Sequence, residues 1–377
     1  MRRLIWTCLI FLLVMLTPGA QAQGAESPET LLDDVGFEQV EQLAESIGVS
    51  DDIDVGSVVR SLMAGDSPIN SDVIQEWFAS FKNTLKNAFQ GVLVRLAVPV
   101  LAGVLLRILL GGNRATVRAL NLFCRIACAG ILTELFITSR STAGALMALI
   151  VKISNVVTPV MISAVTLTGA TTTASILSPM AALCAGLIEN FLCTIGLALC
   201  GGAAAVAMAG NLSDHFSLNK LFKLLKGVLN WTVGILMTAF MGILSVQGLL
   251  GTTHDSAAVR TVRYAVESIV PVIGGEVSDT MDSLVSSAMV MKSAVGVTGM
   301  LLVLTVCLEP ILSLAASMLS LKLAAAIIEP AADKGIANIT EQFGDVAEML
   351  LAACIGCAVL VFMLLGACLT AAGNIVR

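Results

Sequence analysis

The residues in this sequence that could do chemistry are few, and most are set into apolar surroundings. Lys292 stands inside an uncharged apolar run, residues 284–308. An unaccompanied lysine near the centre of a membrane span costs roughly 2.5–3.5 kcal/mol on insertion scales, so such a side chain is expected to face protein, water or a carboxylate. Ahead of it, Glu276, Asp279 and Asp282 recur every three residues and form one drifting stripe on a helix, preceded by Pro271 and Gly274-Gly275. Lys322 stands in the next apolar run, residues 311–328, which Glu309-Pro310 separates from the first and Glu329-Pro330 closes. Arg125 and Glu134 share an earlier run. Two uses suit charges in such places. They line a conduit or bind a partner, or they form ion pairs that hold a bundle together, with Glu189 or Glu309 as the carboxylate for Lys292. The candidate functional residues for a pore or partner role are therefore Lys292, Glu276, Asp279, Asp282, Pro271, Gly274 and Lys322.

Catalytic arrangements are not expected. His215 and His254 stand in polar loops without a serine or cysteine and carboxylate beside them. Gly111-Gly112-Asn113-Arg114 lacks the lysine and hydroxyl of a phosphate-binding loop. Asp51-Asp52-Ile53-Asp54 lacks the glycine and closing glutamate of an EF-hand, and caps a helix instead. Of the 10 cysteines, Cys8 precedes the polar N-terminal region and the other nine lie in apolar runs, where they pack as small, soft side chains. Cys354 and Cys357 have CxxC spacing but no second pair and no histidines near them. No enzyme activity, cofactor or metal is expected.

The elements that must position these residues are membrane helices. The chain has 377 residues, 57% hydrophobic and 13% charged. Its several long apolar runs define an all-α, polytopic helical membrane protein. Residues 1–22 read as a cleavable signal peptide. Arg2-Arg3 precede a short apolar stretch, Pro18-Gly19 break it, and Ala20-Gln21-Ala22 offers a cleavage site with Gln23 as the mature start. An uncleaved anchor is the alternative. Residues 23–90 form a small acidic helical region with 13 acids against Arg60, Lys82 and Lys86, and export would place it outside the cytoplasm.

Residues 91–377 are the polytopic membrane domain. A first span at 92–110 is followed by Arg114 and Arg118, which mark a cytoplasmic loop. Further spans are expected at 120–137, 143–167, 227–250, 284–308, 311–328 and 346–372, with 177–209 a tight hairpin or a broken helix near Gly196 and Gly201-Gly202. The total is about seven to nine. Lys220, Lys223 and Lys226 share a face of an amphipathic segment, and placing them on the side of Arg114 requires an even number of crossings between. Thr158-Pro159-Val160 and Val270-Pro271-Val272 hint at two related halves near 143–250 and 264–372. The bases are spread singly, which argues against nucleic acid as a partner.

At its most specific stretch the chain resembles the stage III sporulation protein AE family of endospore-forming bacteria. The residues that carry the resemblance are Pro271-Val272-Ile273-Gly274-Gly275-Glu276-Val277-Ser278-Asp279-Thr280-Met281-Asp282 and Met291-Lys292-Ser293-Ala294-Val295-Gly296-Val297-Thr298-Gly299. Ser245-Val246-Gln247-Gly248, Val259-Arg260-Thr261-Val262-Arg263-Tyr264, Glu329-Pro330 and Ala371-Ala372-Gly373-Asn374 support it. It covers essentially the whole chain, most strongly from about residue 220. Ser293 departs from the family's usual asparagine, and Ile311-Leu312-Ser313 after Pro310 lack its usual lysine.

The resemblance implies an integral membrane component of the mother-cell-to-forespore channel, a secretion-like complex needed for endospore development after engulfment. That component sits in the mother-cell membrane surrounding the forespore. Its implied partners are other membrane proteins of the same complex, the lipid bilayer and, in a homo-oligomer, further copies of itself. The alternative is a secondary transporter that uses Arg125, Glu134, Glu189, Lys292 and Lys322 as an intramembrane relay.

Overall fold

The computed structural model describes residues 114–167, 170–212, 218–269, 274–330 and 334–370, together with scattered helical positions between 42 and 101. Apart from short turns the described residues are helical, and no strand occurs among them. The helices are α1 (Arg114–Leu167), α2 (Thr171–Leu187), a π-helical segment (Ile188–Gly196), α3 (Leu197–Leu212), α4 (Asn219–Ile269), α5 (Gly274–Ile328) and α6 (Lys334–Thr370). α2, the π segment and α3 follow one another without a break, so the described body consists of five rods.

Each rod holds a stretch long and apolar enough to cross a membrane: Leu122–Leu167, Thr171–Asn211, Asn219–Ser245, Lys292–Ile328 and Gly335–Thr370. At 1.5 Å per residue, the 55 residues of α5 extend about 80 Å, far beyond a hydrocarbon core of about 30 Å. The rods therefore continue past the bilayer.

Among the described residues, long rods merge runs that the sequence reading divides into separate spans. Runs 120–137 and 143–167 merge into α1, because Arg140 projects from the exposed surface of a helix that does not stop there. Runs 284–308 and 311–328 merge into α5, with Pro310 inside it. A proline removes one backbone donor and bends a helix, whereas ending the helix in lipid would orphan several polar groups at once. Residues 177–209 do not reverse direction. The π segment widens the rod over nine residues, and Gly201 and Gly202 stay helical. The expected signal peptide with Ala20, Ala22 and Gln23, the acidic region apart from scattered positions, most of the span at 92–110, and Pro271 lie outside the described residues.

α6 is the central rod, packed against α1, α3, α4 and α5. Cys354, Cys357, Leu360, Val361, Leu364 and Leu365 are wholly buried along it. Contacts fix the register of its neighbours. Phe136 of α1 meets Phe343 edge-on at 6.4 Å, and Cys354 lies 3.9 Å from the carbonyl oxygen of Ala143. α1 thus runs parallel to α6. α5 runs antiparallel, with Gly344 against Lys322 and Gly366 against Met300. Where these rods cross near the far end, glycine is required. A Cβ on Gly296 would stand 2.6 Å from Met161 and 2.7 Å from Leu369, and one on Gly299 would stand 2.6 Å from Val157.

One end of the bundle therefore gathers the starts of α1, α4 and α6 and the ends of α3 and α5. Arg114 and Lys220 share that end, separated by two rods, an even number as the charge pattern asked.

Candidate functional site

At that end the apolar helices carry polar side chains toward one another. Lys226 of α4 lies 2.9 Å from Asp345 Oδ1 and 2.9 Å from Glu348 Oε2 of α6. Lys322 of α5 lies 3.2 Å from Asp345 Oδ1 and 2.6 Å from Glu348 Oε2. The four charges alternate in sign, sum to zero and tie three rods together. Their side chains are 18–37% exposed, so the group is sheltered without being sealed from solvent. Gly344 makes the approach possible, because a Cβ there would stand 2.9 Å from Lys322 Cγ.

A second layer lies beyond. Gln342 of α6 donates to Asn219 Oδ1 of α4 at 2.7 Å, and Asn211 of α3 donates to Gln342 Oε1 at 2.8 Å. Arg125 of α1 donates to the carbonyl oxygen of Asn211 at 3.3 Å. Gly335 of α6 gives the guanidinium room, since a Cβ there would stand 2.5 Å from Arg125 Nε. This belt joins all five rods through fixed charges and amides. Its chemistry is that of a clamp that sets helix register.

Lys292 occupies the other end. It is 2% exposed, and its neighbours include Cys368 of α6. Gly296 and Gly299, one and two turns on, are the close-contact points described above. Two hydroxyls buried nearby, Thr158 of α1 and Thr298 of α5, have no hydrogen-bond partner among the described residues.

The predicted residues do not form one site. Lys292 and Lys322 lie thirty residues apart on a single helix, about 45 Å along its axis. Asp282 is ten residues from Lys292, about 15 Å, and Glu276 is further still. The acidic stripe and Gly274 belong to the first turns of α5, which precede the level of Lys292. The structure also removes Glu309 as a carboxylate for Lys292, because seventeen residues of the same helix hold the two about 25 Å apart and Glu309 is exposed. Of the predicted set, Lys322 enters the charged clamp and Lys292 is buried. Lys226, Asp345 and Glu348 were not singled out as site residues. Their only signal was position, each standing where an apolar run meets a polar one.

These features define a class: a multi-pass helical membrane body, clamped at one end and close-packed through glycines at the other. The family model for stage III sporulation protein AE matches residues 53–372, and the chain belongs to that family. Stage III sporulation protein AE of Bacillus subtilis (strain 168) is 25% identical over 128 residues, which is 34% of this chain and 32% of that relative's length. The match thus spans about a third of the relative. No solved structure matches the chain.

Proposed function

We propose that this chain is an integral membrane subunit of a channel or secretion-like complex that serves endospore development after engulfment. In this reading it acts in the mother-cell membrane around the forespore, alongside other membrane proteins of the same complex. The observation that carries this is family membership in a sporulation family of a chain whose described residues are five clamped, membrane-length rods. The clamp suits a scaffold, because it ties three rods together and holds their register.

The clamped end faces the mother-cell cytoplasm. The support is charge, since Arg114, Arg118, Lys220, Lys223 and Lys334 all belong to helix starts at that end. Lys292 then lies toward the opposite side. Past its level α4 continues to Ile269 and α5 begins at Gly274, so Glu276, Asp279 and Asp282 sit beyond the apolar layer, on the side that would also hold residues 23–90. That acidic stripe serves as a partner face in the space between the two membranes. A reporter active only in the cytoplasm should be silent when fused near Asp66 and active when fused at Ser217. The reverse pattern would overturn this orientation. A secondary transporter would bind or move a solute when reconstituted alone, whereas the subunit proposed here would not.

A further inference from the structure

Of the five membrane-length stretches, that of α4 is the least enclosed by its neighbours. Its inner side is fixed by the buried Phe222, Leu229 and Phe240, and by Val233 and Met237 against Gly356 of α6. The opposite side is exposed. Lys220, Leu224, Val228, Trp231 and Ile235 follow one another at steps of four, four, three and four, so they lie in one line along the rod. Trp231 is 75% exposed at the middle of that line.

The line changes chemistry along its length. From Gly227 to Thr253 the helix carries no acid, lysine or arginine, and the exposed side chains from Leu224 to Ile235 suit hydrocarbon. Those eleven residues cover about 16 Å of helix, close to the depth of one leaflet in a hydrocarbon core of about 30 Å. At the head of the line stand Lys220 and Lys223, both exposed.

The third lysine of this segment behaves differently. Lys226 points inward and is paired with Asp345 and Glu348 in the clamp. Lys220 and Lys223 make no ion pair among the described residues, and Glu341, exposed on α6 at the same end, is bonded to neither. No acidic residue stands in the first turn of α4. Two cations at a helix start oppose the helix dipole, and an anion held against them offsets both charges.

We infer that the outer face of α4 seats an anionic phospholipid of the leaflet at the clamped end. Lys220 and Lys223 hold its phosphate, and Leu224, Val228, Trp231 and Ile235 line its acyl chains. A zwitterionic headgroup brings a cation of its own against the lysines and fits less well. The bound lipid steadies the start of α4, where Asn219 accepts a hydrogen bond from Gln342 and Lys226 enters the clamp. This seat requires that α4 lie in a bilayer and is independent of the channel reading.

The test uses the full chain, purified in mild detergent and stripped of lipid. It is titrated with dioleoylphosphatidylglycerol and with dioleoylphosphatidylcholine, and bound copies are counted by native mass spectrometry. Phosphatidylglycerol should bind about tenfold more tightly or better, since each lysine beside an anionic headgroup contributes roughly fivefold. Lys220→Gln with Lys223→Gln should cut that preference below about twofold while circular dichroism shows unchanged helix content. Trp231→Ala should weaken both lipids and keep the preference. Equal affinity of the unaltered chain for the two lipids would overturn the inference, as would a preference that survives the double substitution. Displacement of the lipid by excess inorganic phosphate would mean a site for a free anion, and would overturn it too. If another protein segment covers the face, Trp231→Ala would leave both affinities unchanged, which counts equally against it.

Discussion

The two ends of the bundle solve the same problem in opposite ways. At one end Lys322 meets two carboxylates and shares them with Lys226, in a belt that reaches every rod. At the other end Lys292 is almost completely enclosed, and the rods meet through Gly296 and Gly299. The first end gains register from directional pairs, so it tolerates partial exposure. The second gains it from backbone proximity, with Lys292 enclosed beside the close contacts. A lysine enclosed within a membrane-length helix is the better candidate for a role beyond stability.

Substitutions can break or sharpen that contrast. The largest effect is expected from Lys292→Met, which keeps the side-chain length and removes the charge. The chain should remain inserted and abundant, and development after engulfment should stop, read as heat-resistant spore counts beside immunoblots of the membrane fraction. A loss of abundance with unchanged output per molecule would reduce Lys292 to a structural charge. Next is Gly299→Leu, whose side chain would enter space held by Val157. It should destabilise the purified chain by about 3 kcal/mol, the upper range for overpacking, measured by denaturation in detergent.

Glu348→Leu should rank third. It removes the acceptor of two charge-assisted bonds at 2.9 and 2.6 Å, and a loss of about 2–3 kcal/mol is expected because the group is only partly sheltered. Lys226→Met leaves Lys322 on both carboxylates and should cost about 1 kcal/mol. Combined with Glu348→Leu it should show clear non-additivity, because the two residues share one network. Additive losses would mean that the belt is a set of separate surface pairs. Raising the salt concentration should weaken the clamped end slightly and leave the glycine end unchanged.

Much of this was readable in the sequence. The apolar runs identified a helical membrane body, and Lys292 stood out as a charge inside one of them. Where one helix ends and the next begins was not readable, because hydropathy marks where charges occur and does not mark where a helix ends. Arg140, Glu309 and Pro310 interrupt apolar runs without interrupting α1 or α5. Gly196 sits in a π turn, where the extra residue is absorbed as a wider turn and no reversal follows. The clamp was hidden for a different reason. Lys226, Lys322, Asp345 and Glu348 come from three rods, and no local spacing relates residue 226 to residue 348. Only Lys322 stood out, because it interrupts an apolar run.

The measurement that bears most directly on the central claim is affinity recovery of the full chain, in mild detergent, from cells harvested after engulfment. The account predicts that it brings other membrane proteins of the sporulation complex with it in reproducible ratio, and that the purified chain alone moves no solute in liposomes. Recovery of the chain by itself, together with solute transport by the reconstituted single protein, would contradict the account and favour a transporter.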